Sequence, residues 1–410
     1  MNFEHSAKTL DYIARLKEFI GVNIEPVEAQ IYKELGEMNP GGDWQNWQLH
    51  PLIEKFKLMA KQQGLWNLFL PDDELGHGLT TLEYAPLAEQ MGRMLFAPEI
   101  FNCNAPDTGN MEVLYHFGSE EQKATWLAPL LEGKIRSVFG MTEPDVASSD
   151  ATNMQASIEV DGNDVVINGK KWWSTGLGHP NAKFTIFMGL SNPENDRHSQ
   201  HAMVIVPLDT PGVKIKRMLT AYGDYDAPYG HGEMHMDNVR VPRENLIMGM
   251  GKGFAIAQGR LGPGRIHHCM RTIGMAEKAL ELAIERGLQR EAFGKPIITL
   301  GGNGERIAQA RIAIHQARLM TLHAAWKIDT VGVKNSMTEI SAIKVAVPTM
   351  AQNVVDMAVQ MHGGAGMSSD FPLAHFAAGA RALRLADGPD EVHMAMVTRL
   401  EVKQYVSRRS

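Results

Sequence analysis

Residues 156–169, Ala-Ser-Ile-Glu-Val-Asp-Gly-Asn-Asp-Val-Val-Ile-Asn-Gly, decide the fold of this chain. They contain two runs rich in β-branched residues, 156–160 and 165–167. The first is followed by Asp-Gly-Asn and the second by Asn-Gly. Because Asp-Gly and Asn-Gly between such runs are typical of β-hairpins, we predict strands with a turn at each of these glycines. Similar runs at 184–190 and 202–206 extend the series, which predicts a β-sandwich or barrel.

The chain before this β region is predicted to be helical. Apolar residues recur every three or four positions over 10–20, 53–60 and 85–94. Ser119, with Gln122 three residues later, is a capping-box pattern that predicts the start of a short helix.

The chain after the β region returns to helical spacing with longer elements. Long helices are predicted over 253–289 and 305–331. A capping box at Ser336 is expected to open a third, which ends at Gly363 and Gly364. Pro389 is expected to be the first residue of the last helix.

Composition excludes several classes of protein. The 410 residues are 44% hydrophobic and 21% charged, which is typical of a folded soluble protein. A net charge of −7 disfavours nucleic-acid binding, and two cysteines are too few for a cysteine-type zinc cluster. There is no apolar run of about 18 residues, so we expect no membrane helix. Residues 1–10 have no apolar core, so we expect no signal peptide and a cytoplasmic protein.

Five motifs occur in a fixed order, and in that order they resemble the acyl-CoA dehydrogenase family of flavoproteins. Within this family, the sequences of residues 142–150 and 385–393 are most similar to the branch that includes family members ten and eleven. The motifs are Gly-Met-Thr-Glu-Pro at 140–144, Asn-Gly-Lys-Lys-Trp-Trp-Ser-Thr at 168–175, Arg-Glu-Ala-Phe-Gly-Lys at 290–295, Gln-Met-His-Gly-Gly-Ala-Gly at 360–366 and Asp-Gly-Pro-Asp-Glu at 387–391.

The resemblance implies a mainly α fold with a central β-domain. We accordingly expect an N-terminal helical domain at 1–137, a β-barrel or sandwich at 138–248 and a C-terminal four-helix bundle at 249–410. It also implies FAD as cofactor, an acyl-CoA substrate, electron-transfer flavoprotein as partner, and a homodimer or homotetramer.

The first two motifs are assigned by this resemblance to the flavin ring and the thioester. Met141 and Thr142 are placed against the flavin, and either Ser148 or Ser149 near the ring or the substrate. Strand alternation predicts that Trp173 and Thr175 share one face, which suits a flavin because an aromatic packs and a hydroxyl bonds. Trp172 is expected in the core.

The other cofactor contacts are also implied by the resemblance. Arg290 and Phe293 would reach the FAD diphosphate of another subunit, and a guanidinium suits a diphosphate because it donates paired hydrogen bonds. Many family members have Gln where Gly301 stands, eight residues after that Phe. The remaining assigned residues are Gln360, Gly363, Gly364 and Glu391.

The catalytic base implied by the resemblance is Asp387, where the family has Glu before a Gly. An Asp reaches roughly 1.5 Å less than a Glu. Arg265 matches an arginine that the family places near the substrate. Considered alone, Asp387 is better explained as an Asp at a helix N-terminus, stabilised there by capping and by the helix dipole.

Two other functions remain open. Nitroalkane oxidases, flavin oxidases of the same superfamily, place an Asp where Asp387 stands, and a flavin-binding assembly protein without activity is the second alternative. No metal site is predicted, because the histidine pairs 267–268 and 231/235 have no third ligand pattern.

Overall fold

The computed structural model describes residues 4–409, which group into two compact units. The first unit comprises the chain up to Lys33, then Phe56–Phe101 and the chain from Gly262 onward. The second comprises Glu34–Lys55 and Asn102–Leu261.

The structure has eight α-helices within residues 4–135, and two of them begin at capping boxes. Thr80 and Glu83 form a reciprocal capping box, as do Ser119 and Gln122, which confirms the box predicted at 119. The helices are α1 (Ala7–Phe19), α2 (Glu28–Met38), α3 (Pro51–Gln62), α4 (Thr81–Met91), α5 (Ala97–Ile100), α6 (Asp107–Phe117), α7 (Glu120–Gln122) and α8 (Ala128–Leu131).

A seven-stranded sheet forms the centre of the second unit. Strand β4 pairs with β1 in parallel and with β5 antiparallel, and β3 pairs antiparallel with both β2 and β7. One face buries a core that includes Trp47, Val138, Ile167 and Met234. The strands are β1 (Arg136–Gly140), β2 (Ser157–Asp161), β3 (Asp164–Thr175), β4 (Ala182–Leu190), β5 (His201–Pro207), β6 (Val213–Leu219) and β7 (His231–Pro242).

The last third of the chain is made of long helices, joined by a short hairpin. Helix α9 is tied to α10 by Glu277, which pairs with Arg311 and Arg318, and Arg318 also binds Glu89 of α4. Helix α11 packs against α10, α12 and α13. The elements are α9 (Gly253–Gln289), β8 (Glu291–Ala292), β9 (Lys295–Pro296), α10 (Asn303–Val331), α11 (Met337–His362), α12 (Leu373–Ala382) and α13 (Asp390–Ser407).

This order of helices, sheet and helices confirms the predicted fold class. The hairpin turn after Asp161 is confirmed as well, because β2 and β3 pair antiparallel around Gly162 and Asn163. The domain boundaries at 137 and 248 stay a prediction.

Three local predictions are wrong. Asn168 and Gly169 make no turn: β3 runs through them, with a register shift against β7 and φ of 137° at Gly169. Ser336 does not cap α11, because its hydroxyl bonds back to the Gly332 carbonyl at 2.9 Å. Pro389 lies just before α13 rather than inside it.

Candidate active site

A buried ion pair fixes the loop that follows β1. Lys171 of β3 is fully buried, and its Nζ lies 2.8 Å from Glu143 Oε1 and 2.9 Å from the Met141 carbonyl oxygen. The Glu143 carboxylate also accepts the backbone N–H groups of Gln155 and Ala156, at 2.8 and 3.0 Å. Burial lowers the pKa of Lys171 to about 8, while the attraction of Glu143 opposes that fall. Loop 141–143 is therefore held from inside the sheet domain.

The residues assigned to the flavin in this loop lie at its surface. Met141 and Thr142 are half-buried, and the Thr142 carbonyl accepts the Trp172 backbone N–H at 3.0 Å, which aligns the loop with β3. The two candidate serines differ. The Ser148 hydroxyl accepts the Glu143 N–H at 2.9 Å, whereas Ser149 is exposed.

Trp173 and Thr175 both contact His231 of β7. The Trp173 ring centroid lies 5.7 Å from that of His231, and Thr175 Oγ1 lies 3.0 Å from His231 Nδ1. The register against β7 shifts between Lys171 and Ser174, and Trp173 adopts φ of 51°. A positive φ is strained for a bulky residue. It leaves the Trp173 side chain 42% exposed on the sheet. Trp172, expected in the core, is half-buried.

Phe293 lies at the tip of the β8–β9 hairpin, in the first unit. Phe293 and Gly294 have φ of 52° and 76°, the signature of a tight two-residue turn. The Phe293 side chain is 94% exposed, and Arg290, just before the hairpin, is exposed too. An aromatic ring held this far into solvent is available to a ligand or to another subunit.

The glycine turn after α11 is open on its outer side. Gly363 has φ of 63°, and a Cβ at Gly363 or Gly364 would meet no atom within 4 Å. Gln360 is exposed in the last turn of α11. These positions leave the backbone accessible to a ligand from outside.

Asp387 lies in a turn whose carbonyl groups are held by cationic and histidine side chains. Lys344 of α11 donates to the carbonyls of Leu383 and Ala386 at 2.7 and 2.8 Å. Arg265 Nη2 donates to the Asp387 carbonyl at 3.3 Å, and His393 Nε2 contacts the same oxygen at 3.1 Å. These contacts hold Asp387 in a left-handed conformation with φ of 54°.

The Asp387 carboxylate is partly open to solvent, with 24% of its side chain exposed. His268 Nε2 lies 3.4 Å from its Oδ2. Burial lowers the pKa values of Arg265 and Lys344, and attraction to Asp387 opposes both shifts. The arrangement is a carboxylate on a backbone turn that is held in place, with cationic side chains nearby, and it can accept a proton.

The structure brings together some of the assigned residues. Asp387 and Arg265 meet in the first unit, and Glu391 is exposed in the first turn of α13, four residues further on. In the second unit, Thr142 lies beside β3, which carries Trp173 and Thr175. Four residues that support the site could not be assigned a role from the sequence. They are Lys171, His268, Lys344 and His393. For Lys171 alone, the Gly-Lys-Lys-Trp motif was a signal.

The donor set in the second unit fits a flavin ring. An exposed aromatic face at Trp173, a hydroxyl at Thr175 and the backbone of 141–142 provide an apolar wall and polar contacts, which a flavin requires. Among residues 4–409, no helix is long and apolar enough to cross a bilayer, and no three His, Cys, Asp or Glu side chains are grouped to hold a metal ion.

Comparison with known protein families matches almost the whole chain. Residues 14–134, 138–239 and 251–400 match the N-terminal, middle and C-terminal domain models of acyl-CoA dehydrogenase. The chain therefore belongs to the acyl-CoA dehydrogenase family, which is FAD-dependent.

Individual relatives agree with this assignment. "Probable acyl-CoA dehydrogenase FadE2" of Mycobacterium tuberculosis is 50% identical over 98% of both chains. "Acyl-CoA dehydrogenase family member 11" of Gallus gallus is 53% identical over 98% of this chain but 51% of its own length, so this chain spans about half of that relative. A solved putative acyl-CoA dehydrogenase from Mycobacterium abscessus is 60% identical, with a TM-score of 0.95 over 98% of this chain and 100% of that one.

Proposed function

We propose that the protein is a FAD-dependent acyl-CoA dehydrogenase that converts an acyl-CoA thioester to the trans-2-enoyl-CoA. The observation that carries the proposal is the Asp387 carboxylate on its anchored backbone turn, in a chain of this family whose close relatives are named acyl-CoA dehydrogenases. Electron-transfer flavoprotein is the proposed electron acceptor.

Asp387 is the proposed base for the α proton. Its carboxylate is near enough to solvent to be reached, and the cationic charges of Arg265 and Lys344 favour its ionised form. The left-handed backbone at Asp387 sets the direction of its Cβ, and this can compensate for the side chain that is one methylene shorter than Glu. A positioned carboxylate of this kind typically accelerates proton transfer about 10²–10⁴-fold.

Polarisation of the thioester carbonyl is proposed to assist the base by making the α proton more acidic. Backbone N–H groups of the 387–388 turn can bond the thioester oxygen, which lowers the pKa of the α proton. Arg265 supports this turn through the Asp387 carbonyl, and Ser149 is the exposed candidate on the substrate side. Bound FAD supplies the acceptor for the β hydrogen as hydride.

The cofactor contacts divide between the two units. Met141, Thr142, Trp173 and Thr175 are proposed to hold the flavin ring. Arg290 and Phe293, from a second subunit of a homo-oligomer, are proposed to meet the diphosphate. Further proposed cofactor contacts are Gln360, Gly363, Gly364 and Glu391. The exposure of Phe293 supports this division, because an isolated chain leaves that ring in water.

The base is tested by replacing Asp387 in the FAD-loaded enzyme. Anaerobic mixing with a panel of acyl-CoAs should bleach the wild-type flavin, and Asp387→Asn and Asp387→Ala should slow bleaching at least about 10²-fold. Asp370→Ala, at an exposed Asp, serves as the control and should match wild type. An Asp387→Ala enzyme that bleaches at the wild-type rate would falsify the assignment.

The oxidase alternative rests on Asp rather than Glu at the base position. Reduced enzyme mixed with oxygen alone, and separately with electron-transfer flavoprotein, distinguishes the two functions. A dehydrogenase is reoxidised much faster by the flavoprotein, whereas faster reoxidation by oxygen would assign the chain to the oxidases.

A further inference from the structure

We propose that His268 is a positioning residue for Asp387: held in one tautomer by Arg271, it donates its Nε2–H to the Asp387 carboxylate and sets the acidic limit of proton abstraction. The inference rests on the proposed function, since it assigns a partner to the proposed base. Its observations are two contacts of one imidazole. His268 Nε2 lies 3.4 Å from Asp387 Oδ2, and His268 Nδ1 lies 3.2 Å from Arg271 Nη2.

The tautomer of His268 follows from the chemistry of its neighbours. A guanidinium can only donate hydrogen bonds, so Nδ1 of His268 must accept from Arg271 and carries no proton. The ring proton is then on Nε2, the nitrogen that faces Asp387. The contact of Nδ1 with Arg271 therefore directs the Nε2–H at the Asp387 carboxylate.

The helix spacing explains why these groups meet. His268 and Arg271 lie three residues apart on α9, a separation that places side chains on the same helical face. Arg265, three residues before His268, reaches the same turn and binds the Asp387 carbonyl rather than its carboxylate. One face of α9 thus holds both the backbone and the side chain of the proposed base.

Four other charged or titratable groups lie around Asp387, and each has a contact or a protonation state of its own. Lys344 of α11 is committed to the Leu383 and Ala386 carbonyls. On α13, burial lowers the pKa of His393 to about 4, so its ring is neutral, and it contacts the Asp387 carbonyl. Asp390 is paired with Arg384 at 2.7 Å. On α9, burial raises the pKa of the Cys269 thiol to about 12, so it too is neutral.

A donor to the ionised carboxylate stabilises that form, so His268 extends the activity of Asp387 to lower pH. Removing it should move the acidic limb of flavin reduction to higher pH by about one unit, a tenfold change in the protonation equilibrium. A merely structural role would lower the rate at all pH values without moving the limb.

The test compares the pH profiles of anaerobic flavin reduction in four FAD-loaded enzymes. His268→Leu removes the donor and should shift the limb upward. His268→Gln retains an amide N–H and should restore the wild-type limb in large part. His315→Leu changes an exposed histidine of α10 and should leave the profile unchanged. A His268→Leu limb that coincides with wild type, or moves to lower pH, overturns the inference.

A second measurement does not depend on turnover. Nitrogen NMR of the ¹⁵N-histidine-labelled enzyme, with His268 assigned from the His268→Gln spectrum, should show the Nε2-protonated tautomer at every pH in the assay range. In Arg271→Leu the same ring should gain a proton at Nδ1 at acidic pH. Detection of the Nδ1-protonated tautomer in the wild-type enzyme would overturn the inference.

The two measurements separate this inference from the proposed function. If no acyl-CoA reduces the wild-type flavin, the proposed function fails. The contact between His268 and Asp387 is then tested separately, by comparing the His268 tautomer in wild type and in Asp387→Asn. If wild type is reduced but His268→Leu leaves the limb in place, only the further inference fails. Should His268→Leu not fold, His268→Gln and the wild-type tautomer still decide the matter.

Discussion

Lys171→Met tests whether the buried pair with Glu143 organises the flavin loop. The change removes an ammonium that has no exposed surface and keeps a side chain of similar length. It leaves the Glu143 carboxylate, 4% exposed, with two backbone N–H donors but no cation. The Met141 carbonyl loses its 2.9 Å donor as well.

The expected loss of unfolding free energy is about 3–5 kcal/mol, because removing one partner leaves the other charge buried. The neighbouring residue provides a matched comparison. Lys170 pairs with Asp145 at 2.9 Å, but the two side chains are 49% and 58% exposed. Solvent screens such a pair, so Lys170→Met should cost less than about 1 kcal/mol.

Urea unfolding, followed by far-ultraviolet circular dichroism, measures the difference among wild type, Lys171→Met, Lys170→Met, Glu143→Gln and the Lys171→Met/Glu143→Gln double variant. FAD affinity should fall in Lys171→Met and not in Lys170→Met, because only Lys171 holds the Met141 and Glu143 side of the loop. The double variant Lys171→Met/Glu143→Gln should recover part of the loss, with a coupling energy above about 1 kcal/mol.

Equal losses for Lys171→Met and Lys170→Met would refute the reasoning, because burial would then have no bearing on the pair. A double variant whose loss equals the sum of the two single losses would refute the coupling between Lys171 and Glu143. Unchanged FAD affinity in Lys171→Met would separate the ion pair from the cofactor site.

Three further predictions concern buried or strained positions. Burial raises the pKa of Glu112 to about 8, against 4.5 unfolded, so Glu112→Gln should add about 2–4 kcal/mol near pH 8 and nothing at pH 4.5, by urea unfolding. Burial lowers the pKa of His393 from 6.5 to about 4, so the unfolded chain binds a proton before the folded chain does. The free energy of unfolding should therefore fall by up to about 3 kcal/mol as the pH drops from 6.5 to 4, and by less in His393→Gln, as urea unfolding would show. Gly388 has φ of 103°, and a Cβ there would lie 2.9 Å from His393 Nε2, so Gly388→Ala should cost about 1–3 kcal/mol and slow flavin reduction, which calorimetry and anaerobic mixing would show.

Much of the fold was predictable because its signals are local. The Asp-Gly turn between β2 and β3, the capping box at Ser119 and the long helix over 253–289 all depend on residues within a few positions of one another. The order of helices, strands and helices follows from such signals. The five motifs then identified the family.

Two local signals failed because a different contact was made instead. Asn168-Gly169 has the composition of a turn, but pairing with β7 carries β3 straight through it. Ser336 has the composition of a cap, but the preceding turn brings its hydroxyl to Gly332.

The sequence by itself determined the helix–sheet–helix order, the family, and which residues to assign to cofactor and base. Only the tertiary structure decided how the base is held. Lys344, Arg265, His268 and His393 come from three helices and converge on one turn, and no spacing in the chain encodes that meeting. Periodicity describes the face of one helix, whereas the partners of a buried charge are chosen by packing between helices.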